Sequence, residues 1–268
     1  MKLTEAAELL CSSGIENALY EARLLFSHFG GYRSYELIGS DPNSELEALI
    51  AAVKKRAQRY PLQYIIGEVD FYRERYKVSE SCLIPRSDTE ILVDEVIKRL
   101  PDGALILDLC TGSGCIALSI LNNTKGTTAI AVDISEDALD VARSNAEALS
   151  LTERISFLQA DALGTAVCDK AFAVISNPPY VTEEEYTSLE PEIYFEPSIA
   201  FLAKKNGIDF YERIVPEYAN AISEEGFFAF EIGYTQADAL RLVAKRQNLR
   251  CEIIKDYSGN DRVAILFR

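Results

Sequence analysis

The chain has a single histidine, and its six cysteines include no CxxC pair. That pattern argues against a Cys/His zinc site and a disulfide framework, and no metal is expected. Cys11, Cys82, Cys110, Cys115, Cys168 and Cys251 read as the reduced thiols of a cytoplasmic protein. No apolar run approaches the roughly 20 residues of a membrane span, so no membrane partner is expected. The opening Met1-Lys2-Leu3-Thr4-Glu5 mixes charged with apolar residues where a signal peptide would carry its apolar stretch. Internal repeats and low-complexity tracts are also missing. Basic residues are outnumbered, 27 Lys and Arg against 42 Asp and Glu, for a formal charge of −15. So acidic a chain lacks the electrostatic footprint of a protein that tracks phosphate backbones, and it suits a basic protein partner.

What remains is an ordinary globular composition, 48% hydrophobic and 26% charged, over a length that accommodates one large and one small domain. Residues 1 to about 70 carry apolar residues at helical spacing: Leu9-Leu10, Leu24-Leu25-Phe26 and Leu46, Leu49, Ile50, Val53. Gly30-Gly31 and Asp41-Pro42-Asn43 act as breakers, and Ser44 is expected to cap the helix that follows. The aromatic-rich Phe71-Tyr72-Arg73-Glu74-Arg75-Tyr76 predicts a hairpin. The expected organisation is a helical domain at 1–70, a hairpin linker at 71–87 and a larger domain at 88–268. In the larger domain, candidate strands at 104–110, 128–133, 154–159, 172–176, 226–232, 251–256 and 262–267 alternate with candidate helices near 88–99, 114–122, 136–149, 207–222 and 235–247. Such alternation predicts an α/β doubly wound sheet of seven strands. The link between the last two strands is too short for a crossover helix, so that pair is expected to be antiparallel.

The first of these strands runs into Asp108-Leu109-Cys110-Thr111-Gly112-Ser113-Gly114. Gly112 and Gly114 allow a tight turn, and the following helix aims its N–H groups at a ligand. Ala117 stands where the dinucleotide fingerprint needs its third glycine, which weakens a dehydrogenase reading. Asp133 ends the second strand, where an acid accepts from ribose hydroxyls. Asp161, followed by Ala162, ends the third, near where an adenine amino group would lie. Alone, Asp161 reads as a cap or a solvated strand end; three acids at successive strand ends beside a glycine turn read as a nucleoside site. An acidic rim opposes a pyrophosphate and tolerates a sulfonium, so the cofactor expected is S-adenosyl-L-methionine. Asp108 would face its ammonium, and Cys110, Thr111, Gly112, Ser113 and Gly114 would cradle it.

Behind the buried run Phe172-Ala173-Val174-Ile175-Ser176 stands Asn177-Pro178-Pro179-Tyr180. Two prolines end the strand and leave the Asn177 carboxamide and the Pro178 carbonyl beyond its carboxyl end. Two acceptors suit a planar –NH2 group, and Tyr180 offers a flat face beside it. The same four residues also fit an ordinary turn. Asn177 would contact both cofactor and substrate, and Pro179 would line the seat. The tetrapeptide alone does not separate adenine from glutamine.

With these motifs in order, the chain resembles the HemK/PrmC family of release-factor glutamine N5-methyltransferases. The resemblance extends through Pro61-Leu62-Gln63-Tyr64-Ile65-Ile66-Gly67, Leu83-Ile84-Pro85-Arg86 with Thr89-Glu90, Glu196-Pro197, Gly207 with Asp209-Phe210-Tyr211, and Glu231-Ile232-Gly233 with Gln236. It departs at Ser87-Asp88, where the family has Pro-Glu, and at Phe201-Leu202-Ala203-Lys204-Lys205-Asn206, where the family has an Asp-Gly-Gly turn. The resemblance implies a class I methyltransferase sheet and transfer of a methyl group to glutamine in the Gly-Gly-Gln loop of peptide chain release factors. Asn177, Pro178 and Tyr180 would then carry the chemistry in a monomer that takes no nucleic acid as direct substrate. Glutamine methylation of a ribosomal protein and N6 methylation of adenine are the rival enzymatic readings, and a non-catalytic binding partner is the third. Outside the site, His28 reads as a helix-surface residue, Lys54-Lys55-Arg56 with Arg59 as a solvated helix end, and Tyr64, Phe71 and Tyr72 as packing between domains.

Overall fold

Apolar runs bounded by Gly, Asp and Pro form the strands, and the amphipathic stretches between them form helices. The structure, a computed structural model, describes residues 1–164, 166–168, 170–204 and 207–268. Its contacts divide the chain into two units, Met1–Glu68 with Glu190–Phe195, and Val69–Leu189 with Glu196–Arg268.

The smaller unit packs α1 (Leu3–Ser12), α2 (Ala18–Gly30), α3 (Glu47–Ala57) and α4 (Leu62–Ile66). Leu10, Leu25, Phe26, Leu49 and Val53 are fully buried in its core, each stabilising the unit by about 1.5–3 kcal/mol relative to exposure. Ser44 does not cap α3, which starts at Glu47 behind Leu46. Its backbone is instead held by the chain's first residue: the Met1 ammonium donates to the Ser44 carbonyl at 2.7 Å. The solvated-helix-end reading of 54–59 holds for Lys54 and Lys55, which are exposed, but fails for Arg56. Arg56 is buried because its guanidinium bonds Glu21 at 2.5 Å and Glu192 at 2.8 Å, while Arg59 bonds Glu192 at 2.6 Å. Neither acid is near in sequence, so the run of bases alone gave no sign of burial. His28 stays on the surface of α2.

The larger unit opens on the hairpin β1 (Glu68–Phe71) and β2 (Glu74–Lys77). Its two turn residues, Tyr72 (φ 48°) and Arg73 (φ 72°), both take the left-handed conformation of a type I′ connection without a glycine. The Tyr72 N–H donates to Glu90 Oε1 at 3.0 Å and its hydroxyl to Asp94 Oδ1 at 2.6 Å, which holds the turn in place. Phe71 and Tyr72 pack into this unit's own core, and the packing reading for them is corrected accordingly.

Seven strands form the main sheet among the described residues, in the order β5 (Ile155–Gln159), β4 (Thr128–Asp133), β3 (Leu105–Leu109), β6 (Ala171–Ser176), β7 (Ile222–Glu231), β9 (Asp261–Phe267), β8 (Arg250–Lys255). The first five are parallel; β9 runs antiparallel to both neighbours, as the short final link requires. Side chains alternate across the sheet. Ile106, Ala173, Ile175 and Ala229 face α5 (Thr89–Ile97), α6 (Cys115–Asn122) and α7 (Glu136–Ala148). Leu107, Leu109, Val174, Phe228 and Phe230 face α9 (Asp209–Tyr218) and α10 (Ala237–Arg246), with the short α8 (Glu183–Tyr186) following the Asn-Pro-Pro-Tyr segment. Chain order reverses between β3 and β6, the switch point at which open α/β sheets bind ligands. Leu109 pairs there with Ser176 and Val132, so the residues just beyond emerge side by side. No helix among the described residues is long and apolar enough to cross a membrane.

Candidate active site

A cavity opens at this switch point, with about 760 Å³ of empty space, part of it open solvent. Volumes of this order hold small cofactors. Cys110, Gly112, Asp133, Asp161, Ala162, Asn177 and Pro179 all line it. None of the described residues lining it is Lys or Arg, while two are acids. A second lobe reaches Thr111 and Ser113 and shares Cys110, Gly112 and Asn177 with the first.

Each strand-end residue is held by local chemistry. Gly112 (φ 55°) donates its N–H to Asp133 Oδ2 at 2.9 Å, and Ser135 donates its N–H to Oδ1 at 2.9 Å. That fixes the Asp133 carboxylate at the mouth of the turn. A Cβ added at Gly112 would approach nothing nearer than the Cys82 Cβ, at 4.0 Å, so the bare backbone faces open space. Gly114 serves packing: a Cβ there would meet the Ala142 Cβ at 3.1 Å. Asn145, buried on α7, donates to the Ser113 carbonyl at 2.9 Å and exchanges two further bonds with Lys77, pinning the turn from below. Cys110 takes φ 60° at the strand end, a conformation more comfortable for glycine.

Asp108, expected near the ligand, lines neither lobe. Like Ile106 it points to the α6 side of the sheet, where it is fully buried and accepts from the Thr111 hydroxyl at 2.6 Å. Burial pushes its carboxyl up to about 7, with the Thr111 bond opposing. Asp161 lines the cavity and also accepts from the Leu163 N–H at 2.8 Å, so ligand rim and local turn coexist at one residue.

At the neighbouring strand end, Ser176 ties β6 to β3 by donating to the Leu109 carbonyl at 2.6 Å. The Asn177 carboxamide donates through Nδ2 to Thr89 Oγ1 at 3.4 Å. Thr89 in turn donates to Glu231 Oε2 at 2.5 Å, and the Tyr180 hydroxyl donates to Glu231 Oε1 at 3.0 Å. Burial pushes the Glu231 carboxyl up, against the two hydroxyl bonds and the nearby Arg262 guanidinium. Pro178 and Tyr180 do not line the cavity; the Tyr180 ring is anchored by its hydroxyl to the acid behind the wall. Gln236 holds the Tyr180 main chain, donating from Nε2 to the carbonyls of Tyr180 (3.1 Å) and Gly207 (3.2 Å).

Glu196 is buried and accepts from the Ile84 N–H at 2.9 Å and from the Arg86 guanidinium. This clamps 84–86 beside Pro197, Ile199 and Ala200, which form another wall of the cavity. Thr89, Asn145, Glu196, Glu231 and Gln236 thus support the site without having been assigned a role from sequence. A polar residue inside an otherwise apolar stretch was the available signal at Glu231, whereas Thr89 stands among the polar residues Arg86-Ser87-Asp88 and Glu90 and carried no such signal. Within the atypical loop, Lys205 and Asn206 lie outside the described residues.

Residues 87–206 match the Methyltransferase small domain family, and residues 2–67 match the PrmC N-terminal domain family. Among curated relatives, a release factor glutamine methyltransferase from Fusobacterium nucleatum is 36% identical over 97% of this chain and 76% of its own length. Another with the same name, from Caulobacter vibrioides, is 34% identical over 98% of this chain and 93% of its own length. Among solved structures, a ribosomal protein L11 methylase from Lactobacillus delbrueckii subsp. bulgaricus superposes with a TM-score of 0.53 at 19% identity, covering 71% of this chain and 83% of that one. That last likeness concerns the fold alone.

Proposed function

This chain belongs to the release factor glutamine methyltransferase family, and from that premise we propose that it methylates the side-chain nitrogen of the Gly-Gly-Gln glutamine in peptide chain release factors. The observation that carries the reading is a shared wall. Asn177 lines the same cavity as Cys110, Gly112 and Asp133, set there by the pairing of Leu109 with Ser176.

The donor set fits S-adenosyl-L-methionine. The first lobe, lined by two acids and by no Lys or Arg, suits a cation, while Arg86 borders the second lobe; the bare Gly112 backbone leaves room for a ligand, and Asp133 is held ready to accept from ribose hydroxyls. When bound, this cofactor supplies a methyl group activated by a sulfonium. Cys110, Thr111, Gly112, Ser113, Asp161 and Ala162 would border it, while Asp108 and Gly114 would shape the turn from behind.

A carboxamide nitrogen is a poor nucleophile because its lone pair is delocalised into the carbonyl. In the proposed reaction the side-chain oxygen of Asn177, in the cavity wall, and the Pro178 carbonyl, on the peptide leading into the cavity-lining Pro179, accept the two N–H bonds of the target. Those bonds aim the nitrogen and strengthen as it gains positive character, so orientation and fixed dipoles supply much of the rate. Forming the new N–C bond would break the S–C bond and leave the donor as a neutral thioether; the now cationic target nitrogen gives its extra proton to water, and no strong base is needed. Pro179 closes the wall, and Tyr180, tethered to Glu231, keeps the segment rigid. Recognition of the release factor is assigned to residues 1–70, and the activity to the cytoplasm, where translation terminates.

Incubation with methyl-labelled cofactor and a panel of release factors, ribosomal proteins and nucleic acids, read by mass spectrometry, tests this. Label on a release-factor glutamine is expected. Label confined to nucleic acid or to a ribosomal protein would overturn it.

A further inference from the structure

We propose that Thr89 and Glu231 are positioning residues that make Asn177 present its carboxamide oxygen to the target, so that the site selects an amide over a carboxylic acid. The proposal rests on the glutamine reading above. It concerns the direction of a hydrogen-bond chain. An asparagine side chain has a donor end and an acceptor end of nearly equal shape, and only its partners decide which faces the ligand.

Glu231 is fully buried among apolar residues of β7 and β9, 2% exposed, and as a carboxylate it can only accept. It receives two hydroxyl protons, from Thr89 at 2.5 Å and from Tyr180 at 3.0 Å. Burial pushes the Glu231 carboxyl up, and the two hydroxyl bonds together with Arg262, itself bonded to Asp88 and Asp256, oppose that rise; the direction of the chain rests on the two hydroxyls aimed at Glu231. The Thr89 proton is thereby committed inward, and its oxygen is left as an acceptor. That oxygen takes the Asn177 Nδ2 at 3.4 Å, which turns the opposite arm of the carboxamide, the oxygen, away from Thr89. Thr89 can hold this direction because it is itself fixed, 2% exposed in the first turn of α5, with its N–H donating to the Arg86 carbonyl at 3.0 Å. The chain therefore runs one way, from Asn177 to Thr89 to Glu231.

The consequence is selectivity. Glutamine offers one N–H to the Asn177 oxygen and one to the Pro178 carbonyl and is accepted. Glutamate, of nearly the same shape, offers only oxygens and is repelled. Without the Thr89 hydroxyl the Asn177 carboxamide is free to turn and offer its amino group, and the distinction weakens.

The test compares the KM for a release factor with the inhibition constant of the same factor carrying glutamate at the target position. It uses full-length enzyme with S-adenosyl-L-methionine. Wild type should favour glutamine by about 100-fold or more, since sites built to hydrogen-bond a group reject analogues lacking it by up to roughly 10⁴-fold. Thr89→Val should lower that ratio at least about tenfold, and Thr89→Ser, which restores the hydroxyl, should recover it. Glu231→Gln, with one acceptor for two hydroxyls, should fall between them, and it carries the test alone if Thr89→Val does not fold. Cofactor affinity, measured in parallel, should stay near wild type. A loss of turnover with an unchanged ratio would mean ordinary structural damage and would overturn the proposal while leaving the glutamine reading intact. Wild-type enzyme that methylates no release-factor glutamine would remove both.

Discussion

Replacing Gly207 with alanine should disable the site without touching any residue that lines it. Gly207 has φ +79°, and a Cβ built there lies 2.1 Å from the Tyr180 carbonyl oxygen and 2.3 Å from Gln236 Nε2. Left-handed backbone alone costs alanine about 1–2 kcal/mol. The larger cost is steric: an ordinary contact is roughly 3.5 Å, so the Tyr180 carbonyl must retreat by more than about 1 Å. Gln236 then loses its bonds to Tyr180 and Gly207, each about 0.5–1.5 kcal/mol. The sum is roughly 2–5 kcal/mol, spent as lost stability or as displacement of 177–180. Because misplacement by 1 Å can cost about 100-fold in rate, Gly207→Ala should lower kcat by about that factor. Asp133 and Gly112 are untouched, so cofactor affinity should hold. Urea denaturation, calorimetric titration of S-adenosyl-L-methionine and kcat on a release factor separate these effects. A Gly207→Ala enzyme with wild-type stability and wild-type kcat would refute the reasoning.

Asn177→Ala should cut methyl transfer at least about tenfold, or 1.4 kcal/mol in the barrier, with cofactor affinity nearly intact; unchanged turnover would remove Asn177 from the proposed chemistry. Asp133→Ala should weaken binding of S-adenosyl-L-methionine in calorimetry, because the carboxylate positioned by Gly112 and Ser135 is lost. Arg56→Ala leaves Glu21 and Glu192 facing each other with their shared cation gone, and should destabilise the smaller unit by about 3 kcal/mol in denaturant titrations. Asp108, pushed up to about 7 from 3.8, binds its proton more tightly folded than unfolded. Its contribution to stability therefore falls as pH rises from about 4 to 7, by at most roughly 4 kcal/mol. The difference in unfolding free energy between wild type and Asp108→Asn, followed across that range, should show this slope.

The sheet was legible because its strands are unusually plain. Phe172-Ala173-Val174-Ile175-Ser176 and Leu105-Ile106-Leu107 are buried on both faces, so each reads as a continuous apolar run bounded by turn residues. The strand-end acids were legible for the same reason: a charged residue at the end of such a run stands out. What supports them was not. Glu231 meets Thr89 across 142 residues, and Glu196 meets Ile84 across 112; such contacts depend on which strands become neighbours. Asp108 shows the limit from the other side. Its position in the motif was evident, but the two-residue alternation of β3 turns it to the α6 side of the sheet, away from the cavity lining. Arg56 failed similarly, since a basic helix end looks solvated until its acids are placed.

The short segment Glu190–Phe195, which belongs to the smaller unit though it comes late in the chain, also sets the order in which the protein can be completed during synthesis. Arg56 is made 136 residues before Glu192, a delay of roughly 10 s at ordinary elongation rates. Throughout that interval the helices of the smaller unit carry Arg56 and Arg59 without their later acid. The unit is finished only after Asn177-Pro178-Pro179-Tyr180 has itself been made, so a ribosome stalled before residue 190 would hold the smaller unit with an unfilled ion pair.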